Sequence, residues 1–129
     1  MAADAVELKI PADPQMIRVA RLTVSAVASQ NDISVEVLED LKLAVSEACT
    51  ERLDSGAARN WLFITIGQEG DELWIEVRGD EQGKRADQAP EQEERVWGMA
   101  LMEALMDAVE LDSDDQGRRI IRLRKRLRG

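Results

Sequence analysis

The chain has 129 residues, 44% of them hydrophobic and 33% charged, which is the size of one folding domain with apolar surface for one core. With no histidine and one cysteine, an internal disulfide, a zinc cage and any imidazole-activated nucleophile are excluded. The net charge of −9 is uneven: seven of the 17 basic groups lie in the last twelve residues, while the other 117 residues hold ten basic against 26 acidic groups, a net −16.

Val6-Glu7-Leu8-Lys9-Ile10 alternates apolar and polar residues, which predicts a strand with one wet face. Asp13 is a good N-cap and Pro14 suits the first helical position, and from Gln15 to about Gln30 the residues Met16, Val19, Ala20, Thr23, Val24 and Val27 recur at helical spacing. Ser34 caps a second predicted helix whose buried stripe is Val37, Leu38, Leu41, Ala44, Val45, Ala48 and Cys49, ending near Ser55-Gly56. Two strands follow, Trp61–Gly67 and Leu73–Val77, and Gly70-Asp71 between them supports an antiparallel hairpin.

Residues 79–95 hold no large apolar side chain until Val96 and many charges, a composition that predicts a long lid-like loop. Val96 to Val109 reads as a third helix with Trp97, Ala100, Leu101, Ala104, Leu105 and Ala108 on one face. Asp112–Gly117 reads as a turn, and the alternation in Ile121-Arg122-Leu123-Arg124 makes the basic tail a half-buried strand rather than a polyanion site. The expected architecture is one α/β (α+β) two-layer sandwich over residues 1–129, with helices on one face of a mostly antiparallel sheet. No apolar run is long enough to span a membrane, and the first residues lack the layout of a signal peptide. A cytoplasmic protein without membrane or direct nucleic-acid contact, and with an acidic surface suited to a basic partner, is therefore expected.

Without histidine, acid–base chemistry falls to carboxylates. Glu47 and Glu51, at i and i+4, share a helix face beside the apolar stripe, where they form either a solvated acidic edge or a working pair. Cys49 falls on the stripe and reads as a small buried hydrophobe. Trp74 alternates with the core-facing set of its strand and is expected to meet a partner or second subunit. Gly79-Asp80-Glu81-Gln82-Gly83 lets backbone approach a ligand, and Gly98, just inside the third helix, would turn amide groups toward phosphate at a helix start.

Leu41-Lys42-Leu43-Ala44-Val45-Ser46-Glu47-Ala48-Cys49-Thr50 resembles the signature helix of the anti-sigma factor serine kinases of the RsbW and SpoIIAB type, members of the GHKL (Bergerat-type, histidine-kinase-like) ATPase superfamily. Gly98–Glu110 is similar to that family's segment after the ATP lid, and the likeness runs from the opening strand to Arg126. The resemblance implies ATP and magnesium as cofactors, a sigma factor and an anti-anti-sigma antagonist as partners, stress-response regulation, and a homodimer. It makes Glu47 the catalytic acid that prepares the attacking hydroxyl. Glu51 becomes the metal ligand, Glu51, Asp80, Gly83, Gly98 and Met99 the nucleotide-binding residues, and 79–95 a degenerate ATP lid.

Several positions depart from the family pattern. Glu51 replaces the magnesium-holding Asn, with Arg52 beside it to offset the charge. Gly79 stands where the adenine-reading Asp ends the strand, with Asp80 one residue out of register. Glu81 replaces the first Gly of the next box, Val96 replaces the first Gly of the later box, and Arg118 stands where Thr often follows. The expected function is an anti-sigma-like binding regulator with an impaired nucleotide site. The alternative is an active ATP-dependent kinase that phosphorylates a serine of the antagonist, and a plain dimerising scaffold is a third reading.

Overall fold

The computed structural model describes residues 5–81 and 92–128, of which 92–97 by backbone alone. Strand β1 (Val6–Pro11) leads through a short 3-10 turn (Pro14–Met16) into α1 (Ile17–Ala28) and α2 (Val35–Asp54). Strands β2 (Trp61–Glu69) and β3 (Glu72–Gly79) follow, then α3 (Gln92–Leu105), β4 (Ala108–Ser113) and β5 (Arg119–Arg126). The capping signals act as their chemistry requires: Asp13 accepts from the Gln15 amide at 2.9 Å, and Ser34 accepts from the Val37 amide at 3.1 Å. Gly70 turns the β2–β3 hairpin at φ 61°, a conformation that costs glycine no Cβ clash.

The sheet is fully antiparallel in the order β1-β2-β3-β5-β4, and the α/β architecture is the one its patterning predicts. Leu62, Ile64 and Ile66 of β2, Leu73, Ile75 and Val77 of β3, and Ile121 and Leu123 of β5 all face the helices and are buried. Period-2 alternation has put every second residue on this side, and each fully buried Leu or Ile contributes about 2 kcal/mol. Helix α2 lies in the middle of the helical layer, packed between α1 and α3 and over β3. Its stripe of Leu41, Ala44, Val45, Ala48 and Cys49 is buried, and the small residues let it sit close to the sheet.

Two expectations are corrected. The segment read as the end of the third helix and the start of a turn is instead β4, paired with β5 from Ala108↔Arg124 to Ser113↔Arg119. Helix α3 correspondingly starts earlier, at Gln92, and stops at Leu105. Its buried face is also different: Met102 is buried with Met99 and Leu105 partly so, Met106 just past the helix end is buried as well, and Ala100 and Ala104 are exposed. Methionines fill the irregular space against α2 better than alanines would.

The basic strand β5 spends its charge inside the sheet. Arg122 donates to Glu76 at 2.7 Å and to Asp112 at 3.2 Å, and Arg124 reaches Glu72 at 3.3 Å and Glu110 at 3.4 Å. Lys125 donates to the Leu105 carbonyl at 2.7 Å. The hydrogen bond to Glu76, ahead of the Asp112 contact, raises the Arg122 pKa. These cations are matched by cross-strand carboxylates, which is what a half-buried strand requires. Trp74 lies on the outer sheet face as expected, half-buried against the bare backbone of its cross-strand partner Gly67.

Candidate functional site

The stripe that buries α2 continues past Cys49. Arg52 follows Ala48 by four residues and Cys49 by three, so the helical period carries it to the inner face. It is 2% exposed, and the preceding Glu51 is 8% exposed. A guanidinium taken from water is tolerated only with full partners, and it has them. Arg52 donates from Nε to Glu51 Oε1 at 2.8 Å, from one terminal nitrogen to the same oxygen, and from the other to the Arg119 carbonyl at 3.3 Å. Arg119 precedes Ile120, which pairs with Arg78, so that carbonyl lies at the end of the sheet where β3 finishes at Gly79.

The loop after α2 is bonded onto the same corner. The Ala58 amide donates to the Arg52 carbonyl at 2.9 Å, and the Glu81 amide donates to the Ala57 carbonyl at 2.9 Å. Buried Ser55 donates its hydroxyl to the Arg52 carbonyl at 3.4 Å and accepts from the Ala57 amide at 3.3 Å. Gly79 shows how tightly the loop is seated: a Cβ there would stand 1.9 Å from the Ala57 oxygen and 2.6 Å from the Ala58 Cα. No side chain of any kind fits at that position without moving backbone.

Asp80 is also engaged. Its Oδ1 accepts from the Arg59 amide at 2.8 Å, and both carboxylate oxygens accept from the Asn60 amide at 3.2 Å. Partial desolvation pushes its pKa up, but these amide donors outweigh it and hold the carboxyl below the usual aspartate range. Glu47 differs from both. It is half-exposed on α2, one turn before Glu51, and makes no hydrogen bond or ion pair among the described residues.

Of the residues singled out in the sequence, Glu47, Glu51 and Arg52 share α2, while Asp80 stands at the end of β3 beside the loop that follows α2. Gly98 is not at a helix start: it is the seventh residue of α3, so its amide belongs to the interior ladder rather than to the open first turn. Met99 is partly buried against the core. Gly83 and most of the 79–95 segment lie outside the described residues. In the sequence Arg52 stands out only as an offset to Glu51. The signal for its burial was present, because position 52 continues the apolar stripe.

Residues 10–125 match the histidine kinase-like ATPase domain. The chain is 35% identical over 130 residues to the serine-protein kinase RsbW of Bacillus licheniformis, an alignment covering 88% of this chain and 81% of the relative. The chain belongs to the histidine kinase-like ATPase family, in its RsbW branch. A second RsbW, from Bacillus subtilis (strain 168), is 32% identical over 127 residues, covering 86% of this chain and 79% of that one. The fold agrees. A crystal structure of the RsbU and RsbW domains of a Mycobacterium tuberculosis protein superposes with a TM-score of 0.72 at 17% identity, over 97% of this chain and 32% of that longer chain.

In this histidine kinase-like domain Gly79 is closed over by the Ala57–Ala58 backbone, and Glu51 is bound by Arg52. Among the described residues no three acidic or cysteine side chains converge on a point where a metal ion would sit.

Proposed function

We propose that the chain is an anti-sigma-factor-like regulator of a stress response that acts in the cytoplasm by binding a sigma factor, an anti-anti-sigma antagonist or both, with its nucleotide site impaired. Membership of the RsbW branch supports the partner class, since its relatives are named serine-protein kinases RsbW. The observation that carries the second half is Gly79. A nucleotide base held by a strand-end carboxylate needs that side chain, and there is no room for one. In this reading the neighbouring Asp80 is engaged with its own loop, its oxygens accepting the Arg59 and Asn60 amides. The whole of residues 1–129 acts as one domain in this reading, and a homodimer is its expected assembly. No helix among the described residues is long and apolar enough to cross a membrane.

The acidic body, net −9 even with the basic tail, suits a partner with a basic face. Capture from native lysate with mass spectrometry tests the reading. Recovery of a sigma factor or a small antagonist protein, retained when nucleotide is removed, is the expected result. Recovery of neither would overturn it.

A second reading keeps kinase activity and has one observation in its favour. Glu47 is half-exposed and makes no hydrogen bond or ion pair among the described residues, as suits a base that receives a serine proton. In this reading Glu51 would hold magnesium, and Asp80, Gly83, Gly98 and Met99 would line the ATP. Phosphate transfer from ATP to the captured antagonist, abolished in Glu47→Ala, would establish it.

A further inference from the structure

We propose that the outer face of the sheet is a docking surface for an acidic segment of a partner protein, which lays an apolar side chain on Phe63 and Trp61 and sets carboxylates against Lys9 and Arg78. The inference concerns the side of the sheet away from the helices. It rests neither on the nucleotide site nor on the regulator reading.

Period-2 alternation sends Leu62 and Ile64 to the helices, and it turns Trp61, Phe63 and their cross-strand neighbours Lys9 and Arg78 to the other side. The chain has three Trp and one Phe as its whole aromatic content. Trp61, Phe63 and Trp74 all stand on this outer side, and none of the three is in the buried core. Large rings kept at a surface instead of filling the core mark an interface, where they give the most contact area per residue.

The charges on this face are selective. Arg122 and Arg124 are each met by two carboxylates, of Glu76 and Asp112 and of Glu72 and Glu110. Lys9 and Arg78 are not. Among the described residues their side chains make ring contacts and no ion pair, Lys9 at 4.2 Å from the Trp61 centroid and Arg78 at 4.4 Å from that of Phe63. In a chain with 26 acidic and 17 basic residues, a cation without an acid is the exception. Arg78 Nη1 is also buried with no hydrogen-bond partner, so this guanidinium gains from an acceptor that the chain does not supply. Lys9, Phe63 and Arg78 lie in one row across β1, β2 and β3, so the cations flank the ring with about 10 Å between their backbones. That spacing suits an extended segment with an acid on either side of an apolar residue. A nucleic acid fits less well, because its continuous phosphates would run over Glu7 and Glu76 in the next row. A second copy docked about a two-fold axis at Phe63 would set these cations against themselves.

Short random peptides displayed on phage and selected on the immobilised full chain supply the probe. The selected sequences should carry acids on both sides of an apolar residue, and a labelled peptide made from them should bind the chain in fluorescence anisotropy. Its affinity should fall roughly tenfold or more in Lys9→Glu and in Arg78→Gln, each shown to be folded by circular dichroism. Arg21→Glu, which reverses an exposed cation on α1, should leave it unchanged. Lys9 is exposed on an edge strand, so Lys9→Glu decides alone should Arg78→Gln not fold. A library that yields no binder, selected sequences without acids, full affinity in Lys9→Glu, or an equal loss in Arg21→Glu overturns the proposal. So does a wild-type dimer in sedimentation that Lys9→Glu dissociates, since a second copy then takes the face. Tighter binding of a single-stranded oligonucleotide than of the peptide overturns it as well.

Discussion

The Arg52 guanidinium and the Arg119 carbonyl stand 3.3 Å apart across 67 residues of sequence, and this contact ties the end of the central helix to the start of the last strand. Because Arg52 also neutralises buried Glu51, removing it takes the adjacent guanidinium from a carboxylate held largely out of water. Arg52→Ala should cost roughly 3–5 kcal/mol of stability, whereas the apolar pair Glu51→Leu with Arg52→Met should cost much less or nothing. Urea unfolding measures both. A loss below about 1 kcal/mol for Arg52→Ala would show that the pair is not held as described.

Asp80 provides a pH-dependent test of the same corner. Its folded pKa lies below the unfolded value, so its contribution is complete above about pH 4 and is lost as pH falls through the lowered folded pKa. Asp80→Ala should be destabilised by about 0.5–1.5 kcal/mol at neutral pH, through loss of the bonds from the Arg59 and Asn60 amides, which pass to water. The gap to wild type should close on acidification. A gap that stays constant down to about pH 2 would rule out the carboxylate as the acceptor.

Cys49 behaves oppositely. Burial pushes its thiol up to about 12, so the folded protein keeps the proton while the unfolded chain releases it from about pH 8.5. Stability should therefore decline as pH rises from that point toward 12, and Cys49→Ala should lack this part of the decline. Native protein should resist a thiol reagent that reacts at once in urea. Fast labelling of the folded chain would contradict the buried position.

Gly67 and Trp74 face each other across β2 and β3, and a Cβ on Gly67 would stand 2.2 Å from the indole. Gly67→Ala should lift the ring off the sheet, shifting its emission to the red at a stability cost of about 1–3 kcal/mol. The reading is made with Trp61 and Trp97 replaced by Phe. Unchanged emission would mean the indole does not pack on Gly67.

Much of the fold was legible because its signals are local. The alternation in β1, β2, β3 and β5, the caps at Asp13 and Ser34, and the Gly70 turn each act within a few residues. Strand β4 was not legible. Ala108 and Val109 continue a helical pattern, and what makes the segment a strand is the row of β5 arginines that Glu110 and Asp112 meet across the ladder. The methionine face of α3 was hidden for a similar reason: Ala100 and Ala104 have the right period, but only the packed layer shows which side α2 occupies.

For the candidate site, the sequence alone determined that the family's helix is present, with Glu47 and Glu51 one turn apart on it and Gly79 followed by Asp80 at the end of a strand. Residue identity is enough for that. It could not determine that Glu51 is taken by Arg52, that Asp80 is spent on the Arg59 and Asn60 amides, or that the Ala57 carbonyl fills the space above Gly79. Those facts depend on groups brought together from distant parts of the chain. Burial then makes each contact decisive, because a charge or amide left without its partner inside the protein is costly.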